Sequence, residues 1–171
     1  KEFIKAVLNG VSQVTFVENW KTGILWVVGL TLSFELVSGR VFTNAFTTGW
    51  DPSSILFLAG LMALIGSALG VILAILTKLP NSEIRAGVHG FNQVLVMIAL
   101  TSFLPLTWQS FLYAIAATIV CSLFTMPALQ NFFSRWGLPA LTGPFVFTAW
   151  AFLLAAPYVL NVPAGIGWAR P

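Results

Sequence analysis

Long charge-free apolar runs, broken by short polar junctions, set the pattern of this chain. A helix needs roughly 17–25 mostly apolar residues to cross a bilayer. Runs of that length fall near 22–40, 53–77, 86–103, 107–130 and 138–160, with Pro105 dividing the third from the fourth. Trp20, Trp50, Trp108 and Trp136 lie near the predicted ends, where indole rings favour the membrane interface. The pattern predicts an all-α integral membrane protein with five transmembrane helices over 22–160.

Residues 1–19 follow a different period. At 100° per residue, Phe3, Ile4, Val7, Leu8, Val11 and Val14 share one face. Asn9, Ser12, Gln13 and Phe16 share the other, together with Lys5. Two structures fit: an amphipathic helix lying on the membrane surface, and a tilted re-entrant helix whose polar face lines a pore. An aromatic ring at Phe16, on the polar side, points toward the pore. The segment has no sustained apolar core, so no signal peptide is expected here.

Composition removes several function classes. Only 8% of the 171 residues are charged and 58% are hydrophobic, whereas a soluble domain carries about 25% charged residues. The sequence pI near 9.4 would suggest nucleic acid in a soluble protein. Here the basic residues flank apolar runs, so they report orientation and no nucleic-acid partner is expected. Six of them (Lys1, Lys5, Lys21, Lys78, Arg85 and Arg135) fall on one side of a five-span topology, and Arg40 and Arg170 on the other. The amino terminus is therefore expected to be cytoplasmic, in a multi-pass protein of the cell (plasma or inner) membrane.

Polar chemistry inside the runs is sparse. Glu35 lies close to a span end, and Glu2, Glu18, Asp51 and Glu83 flank the runs. A proton- or sodium-coupled carrier usually needs an ionisable group within the membrane. His89, near the start of the third run, fits a hydrogen-bonded helix-end residue better than a proton relay. Cys121 is the single cysteine and lies in an apolar run, which suits a packed core thiol. No phosphate loop, metal-ligand cluster or activated nucleophile is visible, so no enzyme, no cofactor and no metal are expected. The sequence points to passive movement of a neutral solute.

The stretch "LPALTGPF" at 138–145 places two prolines around a threonine at the start of an apolar run. Pro139 suits a first helical turn. Pro144 cannot donate to the Ala140 carbonyl, which is thus expected to lack its usual helical partner. Such an oxygen is tolerated at membrane depth only where protein or a water-filled cavity meets it. A line of oxygen acceptors with the Thr142 hydroxyl among them, and a plain proline-kinked helix start, both remain open. In "GVHGFNQVLVMIAL", Gly87 and Gly90 permit close backbone approach, and Phe91 and Leu95 share a face at i, i+4. By itself that pair fits core packing as well as a selectivity feature.

Taken together, these segments resemble one repeat of the bacterial and animal urea transporter family. Leu138, Pro139, Thr142, Pro144 and Phe145 match the family signature Leu-Pro-x-x-Thr-x-Pro-Phe at every fixed position. "GFNQVLV" at 90–96 is similar to the family's Gly-Phe-Asn-x-x-Leu-Val segment, and "VSQVTF" at 11–16 to its pore-helix stretch. The resemblance implies that 1–171 form a single membrane repeat, one half of an inverted-repeat channel, with a re-entrant helix over 1–19. It implies passive transport of urea. A channel for another small neutral solute (a urea analogue, ammonia or water) and a non-conducting half acting only in assembly are the alternatives.

By position, the resemblance assigns urea contacts to Gln13, Phe16, Phe91, Leu95 and Thr142. Val14, Pro139, Ala140 and Pro144 become secondary lining positions. Urea, surrounding membrane lipid and an inverted second repeat are the implied partners, in a trimer of pores. The second repeat is expected as a separate chain or the missing half of a longer protein. An antiparallel homodimer would need a weak charge bias, and six basic residues against two is a strong one.

Overall fold

The structure is a computed structural model that describes residues 1–38, 54–104 and 107–160. Expectations that fall on Arg40, Trp50, Asp51, Pro105 and Arg170 lie outside the described residues, as does the side chain of Glu35. Among the described residues every regular element is helical. The order is α1 (Glu2–Ser12), α2 (Trp20–Ser38), α3 (Ser54–Leu76), α4 (Asn81–Ala86), α5 (Phe91–Phe103), α6 (Trp108–Val120), α7 (Met126–Ser134) and α8 (Gly143–Val159). A π-helical stretch, Cys121–Thr125, joins α6 to α7, so that Trp108–Ser134 runs as one 27-residue apolar helix. That helix and Ala59–Leu76 of α3 are long and apolar enough to cross a membrane.

Two predicted runs break where the sequence pattern had them continuous. The third, expected over 86–103, begins instead with short α4 and an elbow at Gly87–Gly90 before α5 starts. The amide of Gly87, whose φ of 81° lies in the left-handed region, bonds the Ile84 carbonyl and ends α4. The fifth run, expected from 138, becomes helical only at Gly143. Leu141 takes a left-handed φ of 46° and interposes a turn. At 1.5 Å per residue, the 13 residues of α5 rise only about 20 Å, less than the roughly 30 Å of a hydrocarbon core.

α5 is the central strut, packed most extensively on α3 and also on α6 and α8. Met97, Leu100 and Leu104 meet Met62, Ala114, Ala117, Cys121 and Ala156 in the main core. α1 does not lie apart as a surface helix but contacts α2, α3, α4 and α5. Of its predicted apolar face, Val7 and Val11 are buried whereas Phe3 and Ile4 are exposed. Burial follows Ala6, Val7, Gly10 and Val11 instead, because the small residues let the α1 backbone come close to the rest. A Cβ at Gly10 would run into the Ser67 hydroxyl and lie 3.1 Å from the Gly90 Cα. His89 sits in the elbow with Nε2 2.9 Å from Glu83 Oε2, as a hydrogen-bonded helix-end residue.

Gly66 on α3 abuts the backbone of α5. A Cβ there would lie 2.6 Å from the Gln93 carbonyl oxygen, whereas Gly29 has open space around it. Small residues at crossings are how helices in lipid approach closely enough for dispersion and polar contacts to hold them together. Gly66→Ala is therefore expected to lower stability by about 1–3 kcal/mol. Gly29→Ala, in the interior of α2 with room for a methyl group, should leave stability unchanged or raise it by up to about 1 kcal/mol. Thermal unfolding of both variants in detergent checks the pair, and equal melting temperatures would refute the close α3–α5 crossing.

Candidate functional site

The carboxyl end of α1 is shaped by its own polar residues. Ser12 is fully buried, and its carbonyl accepts from the Thr15 hydroxyl at 2.9 Å. The chain tightens there into a 3-10 turn, Gln13–Thr15, and turns sharply at Phe16 with φ 57°. A bulky residue in the left-handed region costs energy, and here it aims the Phe16 ring at α5. The Phe16 and Phe91 ring centroids are 6.4 Å apart at an interplanar angle of 58°. Phe91 is 8% exposed and Phe16 is 62% exposed, so one ring is buried and the other stands proud of the surface. Leu95, one turn beyond Phe91, is half-buried on the same helix face.

Gln13 is tied to the elbow. Its Nε2 donates to the Ala86 carbonyl at 2.9 Å, and Asn9 Nδ2, one turn earlier, donates to the Arg85 carbonyl at 2.7 Å. Both carboxamides thus satisfy carbonyls at the end of α4, which have no further helical turn to bond. With its nitrogen so engaged, Gln13 keeps Oε1 as an acceptor. Val14 is half-buried and packs beside Val11, Ala63 and Val94.

The Pro139–Phe145 stretch differs from its predicted form in one respect. The Ala140 carbonyl is not left without a partner, because the Gly143 N–H donates to it at 2.9 Å across a tight turn. The Thr142 carbonyl accepts from the Val146 N–H at 3.1 Å. The Leu141 carbonyl accepts from Asn92 Nδ2 at 3.0 Å. Each oxygen retains a second lone pair, so the stretch presents partly used acceptors instead of bare ones. Pro139 is exposed, Ala140 and Pro144 are buried, and Thr142 is half-buried at the N-cap position of α8. The Thr142 side chain makes no capping hydrogen bond.

α5 brings these parts together: Phe91 meets Phe16, the preceding elbow holds Gln13, and Asn92 holds the loop around Thr142. The urea transporter family model matches the chain over residues 4–167. The chain belongs to the urea transporter family. It is 35% identical over 165 residues to urea transporter 1 of Ovis aries and equally so to that of Capra hircus. Each match covers 90% of this chain and 42% of the relative. Urea transporter 1 of Rattus norvegicus is 29% identical over 147 residues, 84% of this chain and 32% of its own length. The chain thus spans less than half the length of the curated relatives it matches. The family is membrane-embedded and consists of transporters.

Asn92 and Gln93 were given no role from the sequence, although Asn92 is a fixed position of the matched Gly-Phe-Asn-x-x-Leu-Val segment and two adjacent carboxamides within an apolar run are a visible signal. Gln93 is fully buried, with Nε2 donating to Ser122 Oγ at 2.8 Å in the π-helical stretch and Oε1 unpartnered. Near it, Glu83, His89, Ser122 and Met126 help to line a cavity of about 430 Å³. None of the family-matched site residues lines that cavity.

The two rings should separate by stability. Phe16→Gly relieves a left-handed φ worth about 1–3 kcal/mol and surrenders little packing, so its melting temperature should equal or exceed the parent's. Phe91→Ala removes a buried ring and should cost about 3 kcal/mol. Thermal unfolding of both variants checks this, and a large loss for Phe16→Gly would show that its ring is structural.

Proposed function

We propose that this chain is one inverted half of a passive urea channel. The Phe16–Phe91 ring pair, held beside the engaged Gln13 carboxamide, carries this reading. Urea is flat, with four N–H donors and one carbonyl acceptor. Its faces suit a slot between aromatic rings, and its edge suits neutral oxygens. Gln13 Oε1 accepts an N–H at one mouth, Phe16, Phe91 and Leu95 contact the faces, and the Thr142 hydroxyl lines the narrowest part. Val14, Pro139, Ala140 and Pro144 contribute secondary lining. A bare cation would exchange its hydration for uncharged groups, at a cost of several kcal/mol. Neutral hydrogen bonds bind weakly enough to release the solute, as throughput demands.

In this reading 1–171 form one repeat. α1 with its 3-10 turn is the re-entrant pore helix. The five spans are α2, α3, the α4–α5 unit, the helix Trp108–Ser134, and α8. The amino terminus faces the cytoplasm, and the repeat works in a trimer of pores in the cell membrane. A match to under half of each relative supports a missing inverted partner over a pore made by one copy. So does the exposure of Phe16 and half-exposure of Leu95, which a second half would cover.

Stopped-flow urea permeability of proteoliposomes carrying the full-length gene product tests this reading. Thr142→Val keeps shape and removes one hydroxyl, so urea flux should fall by about tenfold, the kinetic equivalent of roughly 1.4 kcal/mol. The folded yield should be unchanged. Undiminished flux in folded Thr142→Val would remove Thr142 from the constriction. Flux of formamide without urea would assign the pore to another small neutral solute.

A further inference from the structure

An N-cap threonine ordinarily spends its hydroxyl on the helix it starts, accepting from the N–H of the second or third helical residue. At the start of α8 the second residue is Pro144, which has no N–H, and the third is Phe145. The Phe145 N–H goes elsewhere, to Asn92 Oδ1 at 3.1 Å. Asn92 Nδ2 donates in turn to the Leu141 carbonyl at 3.0 Å. In a continuous helix Phe145 and Leu141 would bond each other. The Asn92 carboxamide is inserted between them instead and makes one bond to each. Donor facing acceptor on both sides fixes which way the amide points, and the residue is 1% exposed.

Asn92 therefore does the work that Thr142 would do at an ordinary helix start. We propose that Asn92 is a positioning residue for the channel: by capping α8 from α5, it leaves the Thr142 hydroxyl unspent and available to the passing solute. The same two bonds fix the Thr142 loop to the helix that carries Phe91 and Leu95. The role in flux rests on the urea-channel reading, whereas the substitute cap is a property of the fold and can be measured without any solute. An isosteric apolar residue at 92 would leave the Phe145 N–H without its partner. The Thr142 hydroxyl is the nearest replacement in sequence, and it would be drawn into the cap and out of the pore.

A double-mutant cycle on the full-length protein tests this, with Asn92→Leu, Thr142→Val and the two combined, and with Asn92→Ser as a milder first substitution. Thermal unfolding is the first readout. Thr142→Val should leave the melting temperature unchanged while Asn92 is present. In the Asn92→Leu or Asn92→Ser background it should lower it by about 2–4 °C, the size of one lost cap. Urea flux is the second readout. Each single variant should slow it, and the double variant should be no slower than the worse single one.

A Thr142→Val loss of stability in the parent, as large as in the Asn92 variants, would show that the hydroxyl already caps α8 and would overturn the proposal. Multiplying flux defects would overturn the coupling between the two residues. If both Asn92 variants fail to fold, the parent background still decides, because Thr142→Val must there be silent in stability. A parent with no urea flux above empty liposomes would sink the urea reading alone, leaving the thermal cycle to judge the cap.

Discussion

Backbone carbonyls released where helices break must find donors, and this requirement organises the fold. A peptide group shut away from water without a partner costs several kcal/mol. The chain breaks its helices at Gly87 and at Leu141, and in each place side-chain carboxamides meet the freed oxygens. Asn9 and Gln13 reach the Arg85 and Ala86 carbonyls, and Asn92 reaches the Leu141 carbonyl. The α1–α4 and α5–α8 contacts are thus fixed by directional bonds, while apolar packing and the small residues of α1 and α3 set how closely the helices can approach.

Those bonds also dictate what is left over for a solute. A carboxamide that gives its nitrogen to a carbonyl turns its oxygen away from that carbonyl, so anchoring Gln13 at Ala86 also orients its acceptor. The Phe16 ring is reached by a strained backbone that the anchored 3-10 turn imposes. Strain of this kind persists only where surrounding bonds over-determine it. The Thr15 bond to the Ser12 carbonyl and the Trp26 Nε1 bond to Thr15 Oγ1, at 3.3 Å, supply part of that determination.

Apolar run length made the long helices legible in the sequence: α2, α3 and α6–α7 fall within a few residues of their predicted limits. The breaks were less legible. An 18-residue apolar window averages over the elbow at Gly87–Gly90, and a left-handed φ at Leu141 has no compositional mark, since leucine does not favour it. The face of α1 was half misjudged because periodicity weighs Phe3 and Ile4 above Gly10, whereas at a close crossing the absence of a side chain decides which face turns inward. Gln13, Phe16, Phe91, Leu95 and Thr142 were singled out through motif resemblance alone. Asn92 stood in a matched segment but without a role, because its partners are two backbone groups about fifty positions away, which no local pattern reports.

The choice of carboxamides over charged side chains follows from the same economy. A carboxylate or ammonium could also cap a broken helix, but a charge buried there without a counter-charge is costly. Asparagine and glutamine carry donor and acceptor with no net charge, so they can hold broken backbone in place without burying a charge. Asn92 uses both its donor and its acceptor on the backbone, Gln13 uses its nitrogen alone, and the Thr142 hydroxyl takes no part in the cap of α8. The anchoring thus falls to neutral groups that leave two neutral oxygens uncommitted.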